Sequence, residues 1–249
     1  MTSLRQRVRS GEPMRGTFLN LGSPLVAEVC ALSGFDWLLV DLEHGFRGEE
    51  ALVGQFLAGV AHDVPMLVRT ESAERIRVGH VLDLGAAGVM FPRLDTPEEV
   101  REATRHLCYP PRGDRGVATY NRARRFGGDT RSSSEVDDEL LCVVQIESLD
   151  ALRNVEEIAA VAGVDVLFVG PGDLSTALGV PGQLASREFL DALDRVRDAA
   201  RGANIAAGIL WPDLDRVPWL NEQGFSFVSV ASDSALLRSV ARRASGAVT

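Results

Sequence analysis

Lysine is missing from this chain: all 26 basic residues are arginine. Schiff-base aldolases and pyridoxal-phosphate enzymes need a lysine amine, and a P-loop needs its lysine. This chain supports none of the three. It also lacks any basic surplus. A formal net charge of −9 over 249 residues argues against nucleic acid as the main partner and against an anionic membrane surface. Cysteine is scarce, and Cys30, Cys108 and Cys142 form no C-x-x-C pair. Their odd number reads as reduced core thiols in a cytoplasmic protein. The first nine residues have no apolar signal-peptide core, and no run approaches the ~20 apolar residues of a membrane span. No G-x-G-x-x-G follows the first apolar run, which weakens a dinucleotide-binding fold.

What the chain does have is a core-forming composition, 45% apolar and 24% charged, of a length usual for one large α/β domain. Eight short apolar runs are predicted strands: Met14–Leu19, Trp37–Asp41, Met66–Arg69, Gly88–Phe91, Leu141–Ile146, Val166–Val169, Ala206–Leu210 and Phe227–Val230. Most are continuously apolar, as parallel strands buried on both faces are. Helix signals alternate with them. Thr96-Pro97-Glu98-Glu99 offers an N-cap, a first-turn proline and a capping-box glutamate, Ser148 opens another helix, and 189–200 has helical spacing. Eight β/α units predict a (β/α)8 barrel in a single domain, 1–249. Two stretches stand apart from the repeat. Ser234–Arg243 reads as a short amphipathic helix. Residues 112–139 are polar and glycine-rich, carry six arginines, and are expected to be a lid over the barrel mouth or an interface arm.

Several predicted strands stop at residue types used in catalysis, and in a parallel barrel the C-terminal strand ends share one face. Glu147 and Asp173 end successive strands, and two carboxylates suit a hard divalent ion such as Mg²⁺ or Mn²⁺ that keeps several waters. The alternative is that Asp173 caps a helix and Glu147 pairs with an arginine. Gly170-Pro171-Gly172-Asp173 places consecutive amides at a helix start, suited to a carboxylate, or forms an ordinary tight turn. His44, three residues past Asp41, suits proton transfer with a carboxylate to fix its tautomer; His62, His80 and His106 read as structural or exposed. Arg69 can hold a carboxylate or a developing enolate, or form an ion pair with Asp41 or Glu43. Gln145, two residues before Glu147, faces the same side of its strand and is placed to donate to a bound oxo group or to make a structural hydrogen bond.

Taken together, these residues resemble the HpcH/HpaI aldolase family, the metal-dependent pyruvate aldolases of the phosphoenolpyruvate/pyruvate barrel superfamily. The likeness rests on Phe35–His44, Val68-Arg69, Tyr109–Val117, Val144–Glu147 and Phe168–Ser175, and runs from about Gly16 to Val240. It implies Glu147 and Asp173 as metal ligands for Mg²⁺, Mn²⁺ or Co²⁺. It implies Arg69 at the oxo group, His44 in proton transfer with Asp41 as its partner, and Gln145 near bound pyruvate. The amides of Gly172 and Asp173 would receive the pyruvate carboxylate. Phe18, where relatives often carry tryptophan, and Leu210 are counted with the substrate-binding residues. The implied reaction is reversible cleavage of a 4-hydroxy-2-oxo acid, of the 2-keto-3-deoxy sugar acid or 4-hydroxy-2-oxoheptanedioate type, to pyruvate and an aldehyde. The implied assembly is a homohexamer, a trimer of dimers, with its C-terminal helix exchanged between subunits. Two other readings remain: a citramalyl- or malyl-CoA-type lyase of the same superfamily, and a catalytically silent oxo-acid-binding barrel.

Overall fold

All eight apolar runs form strands. The computed structural model describes residues 2–46 and 48–246. Its elements run α1 (Leu4–Arg9), β1 (Met14–Leu19), α2 (Pro24–Leu32), β2 (Trp37–Asp41), α3 (Glu49–Ala61), β3 (Met66–Arg69), α4 (Arg75–Asp83), β4 (Gly88–Phe91) and α5 (Pro97–Leu107). They continue with α6 (Ser133–Asp137), β5 (Leu141–Ile146), α7 (Leu149–Arg153), α8 (Val155–Ala159), β6 (Val166–Val169), α9 (Pro171–Ala177), α10 (Arg187–Gly202), β7 (Ala206–Trp211), α11 (Val217–Glu222), β8 (Phe225–Ser232) and α12 (Asp233–Ala244). The strands pair in parallel and in sequence order, and β8 closes on β1. β7 and β8 extend slightly past their predicted ends, and α10 and α12 each extend past the predicted helical stretch. The predicted caps form: Thr96 and Glu99 make a reciprocal capping box, and the Ser148 hydroxyl accepts from Ala151 N.

Strand alternation divides the core in two. Outward residues such as Leu38, Val68, Val89 and Leu167 pack beneath the helices. Inward residues, among them Met14, Phe18, Trp37, Leu39, Leu67, Met90, Val143, Phe168 and Phe227, fill the barrel. Trp37 stacks on Phe227 with ring centroids 4.3 Å apart. Gly16 makes room for this stack, because a Cβ there would lie 2.1 Å from the Trp37 ring.

α1, which the sequence did not announce, closes the N-terminal end of the barrel. Ser3 and Gln6 form its capping box, and Leu4 and Val8 join the interior cluster. Arg5 Nε donates to the buried Asp165 carboxylate at 2.9 Å, which also accepts from Cys142 N and from Arg9.

Residues 112–139 lie at this same N-terminal end. They follow α5, not β4 directly, and α5 has already returned the chain to the far side of the barrel. Ala123 N donates to Asp83 O and Arg122 Nη1 to Leu84 O, both at the C-terminal end of α4. Arg115 is buried and donates to Asp83 Oδ1 at 2.8 Å. With Pro65, Ala86, Ala87 and Leu140, Arg115 lines a groove of about 730 Å³. The segment therefore does not cover the mouth of its own barrel. Its exposed Val117, Tyr120 and Phe126 face outward.

Replacing Asp165 with alanine would leave the Arg5 guanidinium buried without its carboxylate. We expect Asp165→Ala to lower unfolding free energy by about 3–5 kcal/mol, read from the urea midpoint at unchanged slope. A loss under about 1 kcal/mol would show that α1 does not depend on this pair.

Candidate active site

The inward positions at the C-terminal ends of the strands bring the predicted polar residues together. Asp41 follows Leu39 on β2 and Arg69 follows Leu67 on β3, and the two pair in register. Gln145 follows Val143 on β5, with Glu147 one alternation further. Asp41, Arg69, Gln145 and Glu147 are all buried.

Arg69 is the hub of this layer. Its Nε and Nη2 donate to the two oxygens of Asp41 at 2.9 and 2.7 Å. Its Nη1 reaches Glu43 Oε2 at 3.1 Å and Gln145 Oε1 at 3.4 Å. Both ion pairs considered from the sequence are therefore made. The guanidinium also lies over the Phe18 ring, 5.1 Å from its centroid. Burial works against the Arg69 charge, but the Asp41 hydrogen bonds and the fields of Asp41, Glu43 and Glu147 outweigh it, so its pKa is raised.

Gln145 carries the network onward, its Nε2 donating to Glu147 Oε2. Glu147 Oε1 accepts from the backbone amide of Arg93 at 3.0 Å, not from an arginine side chain. Arg93 adopts φ 52°, uncommon for a residue with a Cβ and characteristic of functional segments. Burial, then the Glu43 and Asp173 carboxylates, push Glu147 up to about 7. Gly170 permits the close approach of β6, since a Cβ there would sit 2.6 Å from Gln145 Nε2 and 2.9 Å from Glu147 Oε2.

Asp173 is the third residue of α9, not its cap. The N-cap is Gly170, and no side chain satisfies the first amides of the helix. Gly172 and Asp173 are exposed at this end. Phe18 is buried with its ring 6.1 Å from that of Phe168, and Leu210 packs partly buried against the interior cluster.

His44 departs from expectation in its partner. Asp41 gives its carboxylate to Arg69 and accepts the backbone amides of Glu43 at 3.1 Å and of His44 at 3.3 Å, not the His44 ring. The His44 side chain is 66% exposed, with Glu43 Oε2 3.8 Å from its Nε2. Asp41 thus holds the loop that carries His44, and Glu43 is the carboxylate facing the ring. His62 meets Glu28, and His106 is buried with Nδ1 2.8 Å from Asp114. Sequence reasoning missed the Arg93 amide and the role of Glu43 beside Glu147. The second was legible in principle, since Asp41-Leu42-Glu43-His44 ends a strand in two acids.

The acids also bear on a metal. Among the described residues, no group of three or more His, Cys, Asp or Glu side chains is arranged to hold an ion. Glu147 and Asp173 could offer two carboxylates to such an ion, with Glu43 adding negative charge. A carboxyl whose proton affinity is raised by neighbouring carboxylates fits a hard divalent cation, whose remaining positions would fall to water and substrate oxygens.

The chain resembles known proteins over nearly its whole length. Residues 15–240 match the family profile described as HpcH/HpaI aldolase/citrate lyase. A hydroxypyruvate/pyruvate aldolase of Deinococcus radiodurans is 37% identical over 96% of this chain and 87% of its own. A 4-hydroxy-2-oxovalerate aldolase of Rhodococcus jostii is 39% identical over 95% of this chain and 92% of its own. The crystal structure of an HpcH/HpaI aldolase/citrate lyase family protein from Burkholderia cenocepacia superposes with a TM-score of 0.93 at 36% identity, covering 98% of this chain and 97% of that one.

The raised Glu147 pKa fixes a sign for stability without metal. Below about pH 4.5 the carboxyl is protonated in folded and unfolded chains alike. Between about 4.5 and 7 the unfolded chain releases a proton that the folded one keeps, so stability falls as pH rises, and above 7 the loss is complete. We expect this group to remove roughly 3 kcal/mol across that window, and Glu147→Gln to abolish the loss, in chelator-treated protein unfolded by urea. Equal pH slopes for the two proteins would contradict this assignment.

Proposed function

This chain belongs to the HpcH/HpaI aldolase/citrate lyase family, and on that premise we propose that it is a divalent-metal-dependent aldolase. Its reaction is reversible cleavage of a 4-hydroxy-2-oxo acid to pyruvate and an aldehyde. The observation that carries this reading is the buried Glu147 carboxyl, in the field of Glu43 and of the exposed Asp173 and set in one layer with Arg69. The aldolase names of relatives spanning the whole barrel support it.

Glu147 and Asp173 would hold Mg²⁺, Mn²⁺ or Co²⁺, which when bound supplies Lewis-acid polarisation of the substrate's carboxylate and 2-oxo oxygens. The amides of Gly172 and Asp173 receive the carboxylate at the start of α9. Arg69, fixed by Asp41, directs charge-assisted donors at the oxygen that becomes an enolate. Gln145 orients Arg69 and Glu147 toward the same point, and Phe18 and Leu210 supply apolar walls. In cleavage, the 4-hydroxyl proton leaves, the C4–O bond becomes a carbonyl, and the C3–C4 electron pair passes into the pyruvate enolate. A proton added at C3 completes pyruvate. His44, on the loop held by Asp41 and facing Glu43, is the group assigned to move these protons. Neither a CoA-thioester lyase nor a silent barrel accounts as directly for a proton-transfer group beside an enolate-stabilising arginine.

Assembly is part of the proposal. α12 buries only Asp233 against its own barrel, leaving Leu237 and Val240 exposed, and α2 exposes Leu25, Val29 and Leu32. With Val117, Tyr120 and Phe126 of the 112–139 arm, these apolar faces suit contacts between copies. A homohexamer built as a trimer of dimers, with α12 exchanged, would cover them. The expected compartment is the cytoplasm; no helix among the described residues is long and apolar enough to cross a membrane.

The test needs no knowledge of the aldehyde. Pyruvate methyl protons should exchange in deuterated water, followed by NMR, with Mg²⁺ or Mn²⁺ and not with chelator. Glu147→Ala should abolish the exchange, and His44→Ala should slow it by about 100-fold or more, the scale of a lost general acid–base group. Absence of exchange in metal-loaded wild type would turn the reading toward the CoA-ester lyase or the silent barrel.

A further inference from the structure

Two hydrogen bonds hold the Glu147 carboxylate, and they come from different places. Gln145 Nε2 donates to Oε2 from two residues back on the same strand. Oε1 accepts from the backbone N–H of Arg93 at 3.0 Å, on the turn that leaves β4. Among the described residues, this second bond is the one that ties the carboxylate to a neighbouring strand. Pro92 and Leu94 on either side are buried, whereas the Arg93 side chain is exposed. Arg93 takes φ 52°, a conformation that glycine adopts freely and a residue with a Cβ rarely does. The part of Arg93 that meets the site is its N–H. Just beyond, the same two loops meet again. Ser148, next to Glu147, donates its hydroxyl to the Asp95 carboxylate, and Asn154 Nδ2 donates to Asp95 O at 2.8 Å. The Asp95 N–H donates to Glu99 Oε2, in the first turn of α5, at 2.9 Å. Asp95 therefore latches the turn after β4 to the start of α7.

From this arrangement we infer that Arg93 is a positioning residue: its N–H, turned toward Glu147 by the left-handed conformation and latched by Asp95, aims the carboxylate that would hold the divalent cation. The inference rests on the metal-dependent reading above and names the group that orients one of its two acids. Three physical points carry it. A glutamate side chain loses rotamer freedom when a cation fixes it, and a donor that fixes it beforehand removes part of that cost. Glu147 is buried, so bulk water does not replace a lost donor. The donor is main chain and sits at a strand end, so the barrel itself sets its place. Hydrogen-bond partners of ligating carboxylates commonly govern metal affinity by about 10–100-fold.

The experiment measures Mn²⁺ affinity of the chelator-treated full chain at about pH 8, with free Mn²⁺ read by electron paramagnetic resonance. Two substitutions remove the exposed Arg93 side chain and differ in the backbone. Arg93→Gly keeps the N–H and adopts positive φ freely, whereas Arg93→Pro has no N–H and a φ fixed near about −65°. We expect Arg93→Pro to weaken Mn²⁺ binding by about 10-fold or more, and Arg93→Gly by less than about 3-fold. A second pair acts on the latch and leaves Arg93 untouched. Asp95→Ala should weaken binding by about 10-fold, while Asp95→Asn, which loses the charge but keeps an acceptor for Ser148, should stay nearer wild type. This pair carries the test if Arg93→Pro does not fold, and the urea midpoint of each variant reads folding separately from affinity. Equal affinities for folded Arg93→Gly and Arg93→Pro, or equal losses in the two Asp95 variants, would overturn the assignment. Wild-type binding separates the two levels of failure. Binding that these substitutions leave unmoved removes the role of Arg93 alone, whereas a wild type that binds no Mn²⁺ removes the metal-dependent reading and this inference with it.

Discussion

The bidentate ion pair between Asp41 and Arg69 is the interaction around which the site is arranged. It spans neighbouring strands in register, at the inward end of each. Arg69 would be hard to keep charged in this buried layer without it. The same carboxylate accepts the backbone amides of Glu43 and His44, so one side chain fixes both the cation and the loop that follows β2. Through Gln145 the order extends to Glu147, just past the end of the fifth strand. A chain of polar contacts thus crosses the barrel mouth, each held by a neighbour that is itself held.

Against that fixed cation stands an excess of negative charge. Arg69 answers Asp41 and Glu43 directly, and it offsets only part of the repulsion that Glu147 feels from Glu43 and Asp173. The folded chain therefore stores an unfavourable arrangement of carboxylates, at a place where a divalent cation would relieve it. In the proposed reaction, this is the physical sense in which the site would be prepared for a metal. The rest of the barrel supplies rigidity: α1 and the Arg5–Asp165 pair close one end, and the Trp37–Phe227 stack fills the middle, so the polar layer has only the open end to occupy.

Much of this was legible in the sequence because parallel barrel strands are buried on both faces and read as unbroken apolar runs. Trp37–Asp41 and Val166–Val169 could hardly form anything else, and their ends name the site. What was not legible depended on three-dimensional detail. The 112–139 segment was expected at the barrel mouth or in an interface, and its length and polarity did not show that it follows α5 and contacts the C-terminal end of α4. Asp41 was paired with the His44 ring because three residues separate them, but a neighbouring arginine with two donors outcompetes an exposed imidazole. The Arg93 amide reaches Glu147 only through a left-handed backbone turn, for which an arginine gives no signal.

The account stands or falls on whether the acid cluster takes a divalent cation. Titration of Mn²⁺ into chelator-treated protein by calorimetry, in buffers of differing ionisation enthalpy, reads both the binding and the protons it displaces. With Glu147 held near 7, the account expects tighter binding at pH 8 than at pH 6, release of a fraction of a proton to one proton per site near pH 6, and loss of both effects in Glu147→Gln. Binding with no proton release and unaffected by that substitution, or no binding at either pH, would contradict it.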